Sequence, residues 1–150
     1  STPFYADNIA YYVSIANSGY EGDLEMALFP DAFRKDVFGE IEDNKGILIE
    51  DANASPVHFA LLFQFEGDVT ATKHVLYNCT AQRNTVGSST KTDTVEPQTE
   101  SATITATSIY VAALDKDIVK ASTGANADST TYSGWTSAVY LPTATPAAST

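Results

Sequence analysis

Alternation of apolar and polar side chains is the feature that most limits what this chain can fold into. From Tyr20 to Phe29, apolar or small residues recur at every second position, and the positions between them are largely acidic. A period of two is typical of a half-buried β-strand, because successive side chains of a strand point to opposite faces of a sheet. The pattern therefore predicts a strand whose outer face is acidic, formed by Glu21, Asp23 and Glu25.

The segment from Val57 to Glu66 is largely apolar on both of its alternating faces, which predicts a strand in the interior of a sheet. A connection from Gly67 to Thr72 and a returning strand from Lys73 to Gln82 complete a predicted hairpin. In the returning strand, the alternation assigns three side chains to one face: Val75, Tyr77 and Cys79.

The remaining periodic segments predict further strands and one short helix. The residues from Ser101 to Leu114 indicate a long strand, and the segment from Tyr132 to Leu141, which contains Trp135, closes the fold. Asp31 is the predicted N-cap of a helix that ends at Gly39. The helix is too short to be stable alone, so its apolar stripe must dock on the sheet: Phe33, Val37 and Phe38.

Segments without hydrophobic periodicity predict loops. The residues from Arg83 to Glu100 are rich in Ser, Thr, Asn and Gly, and a loop of this length in a compact domain is usually functional or disordered. The residues from Ala121 to Thr131 are also small and polar. The residues from Pro142 to Thr150 form a low-complexity tail of Ala, Thr, Pro and Ser.

The predicted strands outnumber the helix, which indicates a mainly β fold. We expect two packed antiparallel sheets, arranged as a sandwich or barrel, with one short flanking helix. A chain of 150 residues has the usual size of one domain and can bury a core without disulfides or metal. We therefore expect a single domain over residues 1–141, followed by the tail at 142–150.

Charge and cysteine content exclude several classes of protein. Lys and Arg number 8 against 19 Asp and Glu, for a net charge of -11, which disfavours binding to a phosphate backbone or an anionic membrane surface. A single cysteine excludes a disulfide framework and a multi-cysteine zinc site. Cys79 lies in an apolar run, which predicts a buried, unreactive thiol.

No group of residues selects a catalytic or metal chemistry. His58 and His74 are expected to face each other across the hairpin, but no third ligand follows at a useful spacing. The acidic segment from Glu40 to Gly46 departs from the calcium-loop template, which indicates a solvated turn. The chain also contains no phosphate-binding glycine loop, Gly-x-Ser-x-Gly elbow or His-Glu-x-x-His motif. We predict no enzyme and no cofactor, although the many carboxylates leave a hydrolase with paired acids open.

The aromatic residues leave two further alternatives open. Five of them could form a face that binds sugar or protein: Tyr11, Tyr12, Tyr20, Tyr132 and Trp135. Aromatic residues in alternating strands belong more often to a core. Tyrosines in irregular stretches fit an interface, where this residue type is enriched: Tyr11, Tyr12 and Tyr132. A carbohydrate-binding β-sandwich is therefore the alternative to a protein that assembles with other proteins.

The order of these features along the chain is more specific than any single one. Seven segments carry it: 20–24 (YEGDL), 27–36 (ALFPDAFRKD), 46–50 (GILIE), 59–68 (FALLFQFEGD), 73–81 (KHVLYNCTA), 96–100 (EPQTE) and 103–106 (TITA). From about Phe4 to Val119, this ordered set resembles the major tail proteins, or tail tube proteins, of bacteriophages with long non-contractile tails that infect Gram-positive hosts.

The resemblance implies two packed β-sheets with one flanking helix, in a structural protein without catalytic residues. It also implies hexameric rings that stack into a tube around a tape measure protein, inside a virion tail assembled in the host cytoplasm. Phage DNA later passes through the lumen of the tube. Members of this family usually begin with additional strands, so we expect the first strands to be missing ahead of Ser1.

Two sets of residues follow as candidate sites. The acidic side chains of Glu21, Asp23 and Glu25 suit the wall of a lumen, because like charge repels phosphate and lets DNA slide. The long loop is a candidate contact to a neighbouring subunit or ring, together with the irregular tyrosines. The candidate contact residues are Tyr11, Tyr12, Asn84, Lys91, Asp93, Glu96 and Tyr132.

Overall fold

A computed structural model describes residues 3–6, 14–16, 19–26, 28–65, 67–83 and 100–145 of the chain. Within these ranges lie the strands β1 (Pro3–Ala6), β2 (Ser14–Ala16), β3 (Gly19–Met26), β4 (Ile41–Glu42), β5 (Leu48–Ile49), β6 (Phe59–Phe63), β7 (His74–Arg83), β8 (Glu100–Thr107), β9 (Ile109–Val111), β10 (Lys116–Ile118) and β11 (Lys120–Ser122). The helices of the described part are α1 (Asp31–Asp36) and α2 (Ser129–Ser133). The mainly β fold with antiparallel pairing and short helices confirms the predicted class.

One seven-stranded sheet organises the molecule. Its strand order is β1-β6-β7-β8-β3-β2, and β11 pairs with β7 beside the end of β8. All of its pairings are antiparallel except that of β1 with β6. Two-stranded ribbons, β4–β5 and β9–β10, accompany this sheet. The interior position predicted for the strand at 57–66 is confirmed, since β6 lies between β1 and β7 and all five of its side chains are buried.

Two hydrophobic cores lie on opposite faces of this sheet. On the first face, α1 packs over Leu24, Phe59 and Leu61, together with apolar residues of β7 and β8. On the second face, Trp135 packs over Ala60 and other residues of β6 and β7. The alternation of β6 explains this division, because neighbouring residues of a strand point to opposite faces.

The predicted acidic strand is confirmed as β3, whose side chains alternate between buried and exposed. Gly22 and Leu24 are buried, whereas the acidic positions between and beside them are exposed. Gly19 begins the strand at a close approach to β8. A Cβ atom there would lie 1.9 Å from the carbonyl oxygen of Ala106, so only glycine fits without moving the backbone.

The predicted facing of β7 is wrong beyond its midpoint, because the strand contains a bulge. Phe59 pairs with Cys79, but Leu61 pairs with Leu76, so β7 has one more residue than β6 over this interval. The extra residue inverts the alternation. Cys79 therefore lies in the core with Leu76 and not with Val75.

Helix α1 is confirmed, but its ends differ from the prediction. Pro30 is the N-cap and Asp31 is the first helical residue, with no side-chain capping bond. The helix ends at Asp36, ahead of Gly39, whose positive φ of 72° redirects the chain. The docking of the predicted stripe is confirmed: Phe33 and Val37 are buried and Phe38 packs against them.

The carboxyl-terminal third departs from the sequence prediction in two ways. The long strand predicted from Ser101 to Leu114 is divided at Ser108 into β8 and β9. The segment from Ala121 to Thr131, predicted as a loop, contains β11 and the start of α2, whose N-cap Asp128 accepts a hydrogen bond from the N–H of Thr131. The predicted closing role of the segment around Trp135 is confirmed, because this side chain is buried.

Candidate assembly surfaces

The exposed acids of β3 belong to a continuous surface across three strands, which we call the polar sheet face. Strand β8 turns Ala102, Ile104 and Ala106 towards the first core, so its serine and threonine side chains point the other way. The bulge in β7 brings two more polar residues to this side. The polar sheet face consists of Glu21, Asp23, Glu25, Thr80, Gln82, Ser101, Thr103 and Thr105.

Register places a hydroxyl directly opposite each acid of β3. Glu21 pairs with Thr105, Asp23 with Thr103 and Glu25 with Ser101. The hydroxyl of Thr103 donates to the carboxylate of Asp23 at 3.1 Å. The described residues provide no salt bridge to any of these three carboxylates. The surface is therefore anionic and hydrogen-bonding, without a cation among its eight residues.

A different acid, Glu40, is buried beside α1 and was missed by the sequence reasoning. The guanidinium of Arg34 donates two hydrogen bonds to its carboxylate, each of 2.8 Å, and Arg83 lies 3.5 Å away. Gly39 turns the chain so that the N–H of Glu40 reaches the carbonyl of Arg34. The hydrogen bonds from Arg34 lower the pKa of the Glu40 carboxyl, although burial opposes this shift. Arg34 and Glu40 have opposite charges and are six residues apart in the sequence. The turn at Gly39 is what brings their side chains together.

The two strand ends that flank residues 84–99 are attached to the same aromatic cluster. Phe29 and Phe33 stack at 4.9 Å, and Phe38 meets both rings edge-on. At the end of β7, the guanidinium of Arg83 lies 4.9 Å from the Phe38 ring. At the start of β8, the carboxylate of Glu100 accepts the N–H of Phe29 at 2.7 Å. Arg83 at the end of β7 and Glu100 at the start of β8 therefore both lie beside α1.

Most of the predicted contact residues lie outside the described part of the chain: Tyr11, Tyr12, Asn84, Lys91, Asp93 and Glu96. Tyr132 is described and is half-buried by contacts within the chain. Its hydroxyl donates to the carbonyl of Ala71 at 2.7 Å, and the ammonium of Lys73 lies 4.0 Å from its ring centre. These contacts attach α2 to the turn between β6 and β7.

The sugar-binding arrangement of aromatic residues is not supported by the described residues. Trp135 is buried and donates its indole N–H to the carbonyl of His74 at 3.1 Å. Tyr20 packs partly buried against the first core. Neither side chain can therefore form part of a flat, exposed aromatic row.

The two histidines do not face each other, contrary to the sequence prediction. In the antiparallel register, Phe63 pairs with His74, whereas His58 lies next to Phe59 at the opposite end of the hairpin. His58 instead contacts the amide oxygen of Asn78 at 2.7 Å through Nδ1. His74 is buried in a stack with Phe63, and burial lowers its pKa. Among the described residues, no three His, Cys, Asp or Glu side chains are placed to hold a metal ion.

The thiol of Cys79 is buried, and the carboxylates of the acidic turn are engaged in hydrogen bonds or an ion pair within the chain. The predicted burial of Cys79 is confirmed, and burial raises the pKa of its thiol to about 12. In the acidic turn, the carboxylate of Asp43 accepts the N–H groups of Lys45 and Ile47, while Glu42 pairs with Lys35.

A depression with a volume of about 320 Å³ is lined by three acids, Glu40, Glu50 and Asp51. The carboxylate of Glu40 is already paired with Arg34 and Arg83. No helix within the described ranges is long and apolar enough to cross a membrane.

Together these features describe a mainly β protein whose most prominent surface is an acidic, hydroxyl-rich sheet face. Comparison with protein families places it more narrowly: the family model for phage tail tube proteins matches residues 1–144. This match covers nearly the whole chain, so the chain belongs to the phage tail tube protein family. It is a structural component of the virion tail, in a family that self-assembles into a tube. Neither the curated proteins nor the solved structures contain a significant match to it.

Proposed function

We propose that this chain forms hexameric rings, which stack into a tail tube around a tape measure protein and later conduct phage DNA. The polar sheet face lines the lumen in this proposal. The observation that carries it is the composition of that face: three carboxylates, four hydroxyls and an amide, without a cation. The proposal includes a long non-contractile tail, a Gram-positive host and assembly in the host cytoplasm.

Electrostatics gives this surface a function in DNA transport. A lumen lined by carboxylates repels the phosphates of DNA, whereas clustered lysine and arginine would bind them and retain the DNA. The hydroxyls keep the wall hydrated without adding positive charge. Ring formation would repeat the three carboxylates of β3 in every subunit. Their repulsion would act on DNA phosphates that come within about one Debye length of the lumen wall, about 8 Å at physiological salt.

Ring closure requires that each copy contact its neighbours through two different surfaces. Strands β1 and β2 stand at the two ends of the strand order, where edges of a sheet offer unpaired backbone groups to another chain. The segment at 84–99 is the second candidate contact, since the described residues on either side of it, Arg83 and Glu100, both lie beside α1. The proposed contact residues remain Tyr11, Tyr12, Asn84, Lys91, Asp93, Glu96 and Tyr132.

Electron cryomicroscopy of the purified, concentrated protein tests this function. We expect tubes or rings with sixfold symmetry, and a map in which Glu21, Asp23 and Glu25 point into the lumen. A map with these residues on the outer surface would contradict the assigned lumen wall but not the tube. A protein that stays monomeric and binds glycans would instead support the carbohydrate-binding alternative.

A further inference from the structure

An apolar surface on the β4–β5 ribbon has no function in the fold as described. Ile41 pairs with Ile49 across the ribbon, and Ile47 lies two residues before Ile49, so all three side chains point to one side. They remain 54%, 57% and 45% exposed for Ile41, Ile47 and Ile49, respectively. We call these three residues the isoleucine face.

Hydrogen bonds fix the position and the turn of the ribbon, which suits a surface that must fit a partner. On the side opposite the isoleucine face, Glu42 accepts a hydrogen bond of 2.7 Å from the ammonium of Lys35 in α1. At the turn, the carboxylate of Asp43 accepts two backbone N–H groups, and Gly46 has a positive φ of 78°. A surface that is already ordered loses little conformational freedom when it binds.

The isoleucine face is distinct from the other exposed apolar side chains of the described residues. Leu28, Tyr110 and Leu141 are exposed at separate places along the chain, and Phe65 and Val69 are exposed four residues apart between β6 and β7. Among the exposed apolar side chains of the described residues, only these three isoleucines share one side of a two-stranded ribbon. Apolar side chains grouped in this way are typical of the central part of a protein interface.

We propose that the isoleucine face binds a second copy of this chain during tube assembly. This inference rests on the self-assembly that the family implies and names the surface responsible. The ribbon is joined to α1 by the hydrogen bond from Lys35 to Glu42, and α1 packs on the first face of the sheet. Asp43, which pairs with Ile47 at the end of the ribbon, lies on the same side as the isoleucines, so the receiving surface should carry lysine or arginine.

Measurement of the concentration at which tubes form tests the proposal. The double variant Ile41→Thr with Ile49→Thr keeps β-branched side chains, and therefore strand propensity, but removes apolar surface. Val69→Thr is the control, because Val69 is 98% exposed and lies outside the ribbon, in the turn between β6 and β7. We expect the double variant to raise the critical concentration at least about tenfold and the control less than about twofold.

Thermal unfolding of the unassembled variants verifies that each chain remains folded. A double variant that assembles within twofold of the natural chain would overturn the proposal while leaving the tube function intact. A natural chain that remains monomeric at every concentration would contradict both. These two outcomes separate the failure of the surface from the failure of the proposed function.

Site-directed cross-linking provides a second readout that does not depend on weakened assembly. Ile47→Cys introduces an accessible thiol into a chain whose own cysteine, Cys79, is buried. A photoactivatable maleimide attached at position 47 should cross-link to another copy in assembled tubes, and mass spectrometry then identifies the receiving residues. Labelled tubes that yield only cross-links within one chain would overturn the proposal.

Discussion

The two sides of β3 have opposite roles although they are built from neighbouring residues. Leu24 is buried in the first core, whereas Asp23 and Glu25 on either side of it are exposed on the polar sheet face. The leucine stabilises the fold by excluding water, while the acids contribute little to packing and set the charge of a surface. The comparison shows that one strand can carry the fold on one side and the proposed transport function on the other.

Removal of the buried side chain should have the largest effect. Leu24→Ala deletes buried methyl groups and leaves a cavity, so we expect a loss of about 2–5 kcal/mol in the free energy of unfolding. Asp23→Ala, the neighbouring control, should change it by less than about 1 kcal/mol. Urea unfolding of the unassembled chain measures both, and equal losses would show that the two sides do not differ as described.

Glu40 is buried, unlike the exposed carboxylates of β3. Its removal should cause the second-largest loss in the free energy of unfolding. Glu40→Ala leaves Arg34 without its two hydrogen bonds, and we expect a loss of about 1–3 kcal/mol by urea unfolding. Glu25→Ala is the matched control, because that carboxylate is exposed and makes no salt bridge to the described residues. An equal loss in the free energy of unfolding for Glu25→Ala and Glu40→Ala would contradict the claim that only the buried, paired carboxylate stabilises the fold.

The same pair predicts a pH dependence. The folded state lowers the pKa of Glu40, so its stabilisation is complete above the pKa of the unfolded carboxyl, about 4.3, and declines as the pH falls through the folded pKa. The stability difference between the natural chain and Glu40→Gln should therefore be constant above about pH 5.5 and shrink below about pH 4. A constant difference down to pH 2 would contradict the assigned ion pair.

The bulge in β7 predicts a smaller contrast between two adjacent residues. Cys79→Ser places a hydroxyl in the first core and should cost about 1–2 kcal/mol, whereas Thr80→Ser on the polar sheet face should cost less than about 0.5 kcal/mol. Thiol labelling supports the assignment, because the buried Cys79 thiol, with its pKa raised to about 12, should react only after unfolding. Rapid labelling of the native chain would show that Cys79 faces outward.

Charge reversal on the polar sheet face should have the smallest effect on stability and the clearest effect on transport. The double variant Glu21→Lys with Glu25→Lys should change the unfolding free energy by less than about 1 kcal/mol, because both side chains are exposed. In phage carrying this variant, we expect intact tails but slower genome ejection. Asp36→Lys with Asp117→Lys, two exposed acids outside this face, is the control that should eject normally. Equal ejection rates would contradict the lumen assignment.

Sequence reasoning was most successful where a single strand or helix determines the pattern. The alternation from Tyr20 to Phe29 predicted β3 and its acidic side, and the stripe of Phe33, Val37 and Phe38 predicted the buried side of α1. It failed where a residue's environment depends on a distant segment. The pairing of His58 with Asn78 requires knowledge of the register between β6 and β7, which no local pattern contains.

The sequence by itself determined the mainly β class, the acidic character of one strand face, and the match to the phage tail tube protein family. These properties follow from residue types and from spacings of two to five residues, which act locally. The tertiary structure alone decided that β7 bulges, that Thr80 and Gln82 join the acids of β3, and that Glu40 is buried against Arg34. These outcomes depend on which strands pair and in what register, because burial and charge pairing arise between residues far apart in the chain.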